Sequence, residues 1–269
     1  MSTTAPGLGH ALDISSTSPT PFSRLVRVEL RKTWDTRAGL WLLISTAVVT
    51  ALVMVIQLAV VVANDLQVSY NDFLTSTNFS IGLLLPVIGI LLLTSEWSQR
   101  TAMVTFSLEP RRPHVIAAKF VVGIGLAVVA VIIALVLATI CNALYGALSG
   151  DTVVWDQSAE QTAYFVLLQV IGMLTGFAFA ALLLNSPAAI VLYMVYSFVL
   201  PGLFGLGAAL IGWFEKIQPW IDFNDAQTGL FDGNGMSGDD WAHFAVSGFI
   251  WLVVPLGIGI ARVLRAEVK

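Results

Sequence analysis

Residues 94–120, TSEWSQRTAMVTFSLEPRRPHVIAAKF, are the one interior place where basic residues gather: Arg100, Arg111, Arg112 and Lys119 all lie here. On either side the chain runs without a charge, over residues 79–95 before the stretch and 120–150 after it. Runs of this kind match the ~20 apolar residues that a helix needs to cross a hydrocarbon core of ~30 Å. The composition of the whole 269-residue chain agrees: 57% of residues are hydrophobic, 11% are charged and the mean hydropathy is +0.84. A soluble domain carries about 25% charged residues. The sequence therefore specifies an all-α polytopic membrane protein.

Working outward, six apolar blocks read as transmembrane helices over about 40–63, 79–95, 119–145, 162–184, 188–212 and 244–264. Residues 1–21, rich in Ser, Thr, Pro and Gly, read as a disordered cytoplasmic tail. Thr20-Pro21 suits a helix start. Residues 22–37 form an amphipathic interface helix, with Phe22, Leu25, Val26, Leu30 and Trp34 on one face and Arg24, Arg27 and Arg31 on the other. The transmembrane domain is then 38–269, with a cytoplasmic loop at 96–118 and an outer loop at 213–241. The outer loop contains Ile217, Trp220, Ile221, Phe223, Leu230 and Phe231, which suits short helices resting on the outer membrane face.

Lys and Arg are retained on the cytoplasmic side. With six spans and both termini inside, Lys216 is the only basic residue placed outside. The opposite topology would translocate nearly every cation.

The spans are poor in ionisable groups. Gln57, Asn142 and Gln169 are their notable polar residues, and all three are neutral. Coupling-ion sites use charged or strongly polar groups at membrane depth, so secondary active transport is disfavoured and inter-helix hydrogen bonding is the simpler role. Gly172-x-x-x-Gly176, with Ala180 beyond it, reads as a packing stripe. Trp41, Trp97, Trp155, Trp213 and Trp241 suit an interfacial belt. A single cysteine, Cys141, excludes an intrachain disulfide. The three histidines lie in separate segments, and no phosphate-cradling glycine motif occurs. Residues 232–235, Asp-Gly-Asn-Gly, lack the bidentate Glu that a calcium loop needs.

Within the central stretch, residues 98–108 can form about three helical turns, closed by Glu109-Pro110. Pro113 then restarts a helix that becomes the third span. Glu96 stands at the mouth of the second span, where an ionised side chain must face water or a partner. Two readings fit: an ordered cytoplasmic element, or a basic inner loop that only obeys the orientation rule.

These residues resemble a family. S-E-W-x-x-x-T at 95–101, L-x-P-x-R at 108–112 and A-A-K at 117–119 are similar to the signature region of ABC-2 type permeases, the membrane subunits of ATP-binding-cassette exporters. V-E-L-R-K-T-W at 28–34 resembles the family's interface helix. F-N-D-A-Q at 223–227 and A-R-V-L-R at 261–265 resemble its C-terminal third. Many members carry Gly-Thr where this chain has Arg100-Thr101.

The resemblance implies a half-transporter in a bacterial cell membrane. It would pair with a second six-span subunit, as homodimer or heterodimer, above two separate ABC ATPase subunits that bind ATP and magnesium. The chain itself would hold no cofactor, metal or catalytic residue and would bind no nucleic acid. Its partners would be the ATPase, the second permease and membrane lipid. A coupling helix at 100–108 would seat in the ATPase, with Glu96, Arg100, Thr101, Met103, Phe106, Pro110, Arg111, Arg112 and Lys119 at the interface. Arg27, Glu29, Arg31, Lys32 and Trp34 of the interface helix would lie alongside. An apolar or amphipathic cargo suits such spans. Two other classes stay open: a polytopic enzyme acting on lipid-like substrates, which would need acidic motifs beyond Glu96 and Glu109, and a non-transporting membrane scaffold.

Overall fold

The computed structural model describes residues 20–231 and 235–265. Most of the N-terminal tail, Asp232-Gly233-Asn234 and Lys269 lie outside them. Among the described residues every regular element is helical. Helix α1 (Phe22–Asp35) leads into α2 (Arg37–Ala63), α3 (Tyr70–Ser98), the short α4 (Ala102–Leu108), α5 (Arg112–Ser149) and α6 (Ala159–Leu183). Next come α7 (Ser186–Met194), a π segment (Val195–Val199) and α8 (Leu200–Leu210), which together make one continuous rod. The short helices α9 (Gly212–Glu215), α10 (Gln218–Ile221) and α11 (Thr228–Phe231) follow. The last rod joins α12 (Gly238–Gly248), a second π segment (Phe249–Val253) and α13 (Val254–Arg265). Six helices are long and apolar enough to cross a membrane: α2, α3, α5, α6, the α7–α8 rod and the α12–α13 rod.

Local side-chain chemistry sets where the spans begin, and it moves several boundaries. Ser69 accepts a hydrogen bond from the Asp72 amide, and Asp72 accepts from the Ser69 amide and hydroxyl. This reciprocal cap starts α3 at Tyr70, so the second span is 29 residues long rather than the short 79–95 segment expected. Ser158 with Gln161 and Ser237 with Asp240 start α6 and α12 in the same way. The sixth span thus begins at Gly238, inside the expected outer loop. Helix α5 starts at Arg112 and runs 38 residues, about 57 Å at 1.5 Å per residue. It is far longer than a ~30 Å hydrocarbon core, and Lys119 lies about two turns from its start. The single helix expected over 98–108 is divided: α3 continues through Ser98, a turn intervenes, and α4 is seven residues long.

Helices α3 and α6 form the centre of the bundle, and the α7–α8 and α12–α13 rods keep most of their surface outward. The central pair meets at small residues. A Cβ on Gly176 would stand 2.3 Å from the Pro86 carbonyl oxygen, and one on Gly89 would stand 2.7 Å from the Met173 carbonyl. Gly172 has more room, at 3.6 Å from the Pro86 ring. The packing stripe therefore works mainly through Gly176.

Prolines inside spans leave acceptors without an amide, and each of two acceptors finds a side chain. Pro86 of α3 cannot donate to the Gly82 carbonyl, and the Tyr193 hydroxyl of α7 donates there at 2.7 Å. In the first π segment the Leu200 amide bonds the Val195 carbonyl, five residues back. Pro201 would be next in that register, and the Tyr196 carbonyl it cannot serve accepts from the Asn224 amide at 3.3 Å. The second π segment likewise sits just before Pro255. The two segments touch through Tyr196 and Trp251, whose ring centroids are 5.2 Å apart. Trp251 also donates to the Ile221 carbonyl, which fastens the short outer helices to the bundle.

Both ends of the described chain meet at one end of the bundle. Arg111 donates to the Thr20 carbonyl, and Arg112 donates to the carbonyls of Val263 and Leu264.

Candidate functional site

The basic end is built around four buried or half-buried charges from three helices. In α1 the residues turned inward are Glu29 and Thr33, while Phe22, Val28 and Trp34 are exposed. The apolar periodicity gives no sign that Glu29 is the inward residue. The reason it turns inward is Lys119, a lysine 1% exposed near the start of α5. Its ammonium donates to Glu29 Oε2 at 2.5 Å and to the Leu92 carbonyl at 3.0 Å, and lies 3.3 Å from Glu96 Oε1. A buried charge needs a partner of opposite sign, and Glu29 supplies it across the helix boundary. Lys32, one turn along α1, donates to Glu29 Oε1 at 2.6 Å and to Glu96 Oε1 at 2.7 Å. Two carboxylates and two ammonium groups thus close a neutral set. Burial alone would lower the Lys32 pKa, but Glu29 and Glu96 outweigh it and hold the ammonium above its ordinary 10.5.

The set reaches a fourth element through Thr105, whose hydroxyl donates to Glu96 Oε1 at 3.1 Å. The other Glu96 oxygen is buried and has no hydrogen-bond partner among the described residues. Helices α1, α3, α4 and α5 are therefore tied at one point.

Helix α4 presents two faces. Ala102 and Phe106 are buried, with Phe106 edge-on to Trp97 and beneath the Arg112 guanidinium at 4.9 Å. Met103, Val104 and Leu108 are 52%, 59% and 79% exposed. The turn before α4 is a Schellman motif: the Thr101 amide donates to the Glu96 carbonyl at 2.8 Å and the Arg100 amide to the Trp97 carbonyl at 3.2 Å. Arg100 takes the left-handed position of that motif, with φ 58°. Glycine is the usual residue there.

The expected site residues divide into two groups. Arg100, Thr101, Met103 and Pro110 are exposed around α4, and Arg27, Arg31 and Trp34 are exposed on α1. Glu96, Lys119, Glu29 and Phe106 are buried and hold the chain together instead. Lys32 is half-buried with them. Arg111 pairs with Glu109 at 2.8 Å, Arg112 clasps the end of α13, and Arg31 pairs with Asp35 at 2.8 Å. Glu96 therefore faces lysines of its own chain.

No known protein-family model matches the chain, and no curated protein matches it. The site must be read from its own geometry. The three polar span residues make hydrogen bonds within the bundle: Gln57 to the Asp72 carbonyl, Asn142 to the Val154 carbonyl and Gln169 to Asn78. Sequence reasoning missed the ion cluster because its members are 64 and 90 positions apart. A lone lysine at a span mouth and a glutamate on an amphipathic helix were the available signals. Chemically the cluster can hold helices together. It offers a rigid mount for an apolar helix face at the basic end of the bundle.

Proposed function

We propose that the chain is the permease subunit of an ABC exporter of the ABC-2 type, set in a bacterial cytoplasmic membrane with both termini inside. A separate ATPase docks on the exposed face of α4. The observation that carries this reading is the combination of that apolar face with its anchorage. A seven-residue helix in a basic loop gains nothing from exposing Met103, Val104 and Leu108 unless something covers them. The Thr105 bond to the ion cluster would pass displacement of the docked helix to α1, α3 and α5. Nucleotide-driven closure of the ATPases then shifts the spans between inward and outward access through differential affinity for the two states. ATP and magnesium belong to the partner in this reading, and a second permease subunit completes the transporter. The resemblance of the 95–119 region to ABC-2 permeases supports the assignment independently.

The test is detergent co-purification of the tagged chain with the ABC ATPase encoded near it. Val104→Asp and Leu108→Asp alter only exposed side chains and should abolish co-purification while the chain stays folded. Reversal of Arg111 and Arg112 is less informative, because both arginines hold the chain's own structure. Recovery of no ATPase, or recovery unaffected by the aspartates, removes the docking assignment.

A further inference from the structure

At the end opposite the ion cluster, a cavity of about 650 Å³ opens between α3, α6, the α7–α8 rod and the short outer helices. That is within the ~300–1,000 Å³ of small-molecule sites. The first π segment contributes Ser197 and Phe198 to its wall, and such segments recur at functional sites.

The wall is rich in acceptors with no donor of their own. Asp222 is 2% exposed; its Oδ1 accepts from the amides of Asn224 and Asp225, and its Oδ2 makes no hydrogen bond among the described residues. Gln169 is 3% exposed; its amide group donates to Asn78, and its Oε1 has no partner among the described residues. The Asp225 carboxylate likewise has no hydrogen-bond donor. None of the described residues lining the cavity is Lys, Arg or His. Burial first and Asp222 second push the Asp225 pKa up, and His243 pulls against them; Asp225 is itself exposed, so the neighbouring Asp222 charge is the firmer cause. On the same wall, Phe79 and Phe198 are 65% and 53% exposed and offer aromatic faces.

We propose that this cavity binds an amphiphilic organic cation, its positive group beside Asp222 and Asp225 and its apolar body along Phe79 and Phe198. Two carboxylates on a wall whose described residues include no Lys, Arg or His favour a positive group, and aromatic faces attract cations and apolar bodies alike. Within the export reading this names the class of cargo, but the binding stands without it.

Tetraphenylphosphonium is a suitable probe, with tetraphenylborate as its oppositely charged near-isostere. Equilibrium binding of the labelled cation to the full chain in maltoside micelles, corrected for empty micelles, should saturate at one per chain. Asp225→Asn should weaken it at least tenfold, and tetraphenylborate should not compete. Should Asp225→Asn lower the thermal transition, Phe198→Ala on the exposed wall serves instead, with the same loss expected. Displacement by phosphatidylethanolamine assigns the site to a lipid amine, and its absence to a free amphiphile; both outcomes support a cation site. No saturable binding, equal competition by the anion, or unchanged affinity in a folded variant overturns the proposal. The assay needs no ATPase, so its failure and that of the docking assignment are separable.

Discussion

Replacing Lys119 with methionine tests whether the ion cluster carries the stability of the basic end. The side chain is similar in length, so little cavity results, and the change is chiefly one of charge. At an effective dielectric constant of ~20, an ammonium 2.5 Å from one carboxylate oxygen and 3.3 Å from another gains about 7 and about 5 kcal/mol. Desolvation of the ions, several kcal/mol each, offsets most of this. Removing one member leaves that desolvation uncompensated. Glu29 and Glu96 would then share only Lys32, which is partly exposed. The expected loss is about 3–5 kcal/mol, a large part of the ~5–15 kcal/mol that holds a typical domain together. Equilibrium unfolding of the purified chain in mixed micelles, followed by tryptophan fluorescence, measures it. The double variant Glu29→Gln/Lys119→Met restores neutrality and keeps the Lys32–Glu96 pair. It should therefore be more stable than Lys119→Met alone, with a coupling energy of about 1–3 kcal/mol. A loss below ~1 kcal/mol for the single variant, or strict additivity in the double, refutes the reasoning.

Tyr193→Phe should cost about 1–3 kcal/mol by leaving the Gly82 carbonyl without a donor. Adding Pro86→Ala, which returns an amide to that carbonyl, should recover most of the loss in the same unfolding assay. Arg100→Gly should stabilise the chain by about 1 kcal/mol, since it relieves a left-handed side chain; a lower melting temperature would count against the Schellman turn. The Lys32 pKa is raised in the fold, so its contribution is fully present below 10.5 and is lost only as the pH rises through the higher folded value. The stability difference between wild type and Lys32→Met should be flat from pH 7 to pH 9 and shrink above 10.5, and a difference that already shrinks between pH 7 and 9 would contradict the raised value.

The membrane fold was readable because charge-free runs of about twenty residues admit few other meanings. Boundaries were less legible for local reasons. Residues 64–78 look polar enough for a loop, yet Ser69-x-x-Asp72 is a helix start and Phe73, Leu74 and Thr77 turn inward one helical turn apart. The same capping signal at Ser158 and Ser237 would have placed two further helix starts. The face of α1 was assigned by apolar periodicity, which locates grease and carries no information about a lysine 90 residues away. Glu29 is inward because Lys119 is. Of the residues expected around the coupling region, Arg100, Thr101, Met103 and Pro110 ended outside, and Glu96 and Lys119, at span mouths, ended inside. Position relative to a span boundary decided that, more than residue type did.

The bond between Tyr193 and Gly82 has a bearing on biogenesis. Its two partners are 111 residues apart in the chain, which at ~5–20 residues per second separates their synthesis by about 6–20 s. During that interval the Gly82 carbonyl of the second span has no tyrosine to serve it, and for most of it the face around Pro86 and Gly89 has no partner helix. The segment that covers that face, around Gly176, emerges first, and the tyrosine that quenches the acceptor follows with the fifth span. A nascent chain stalled between the two would present an incompletely bonded helix to the lipid, and that is a feature an insertion chaperone or a membrane protease could recognise.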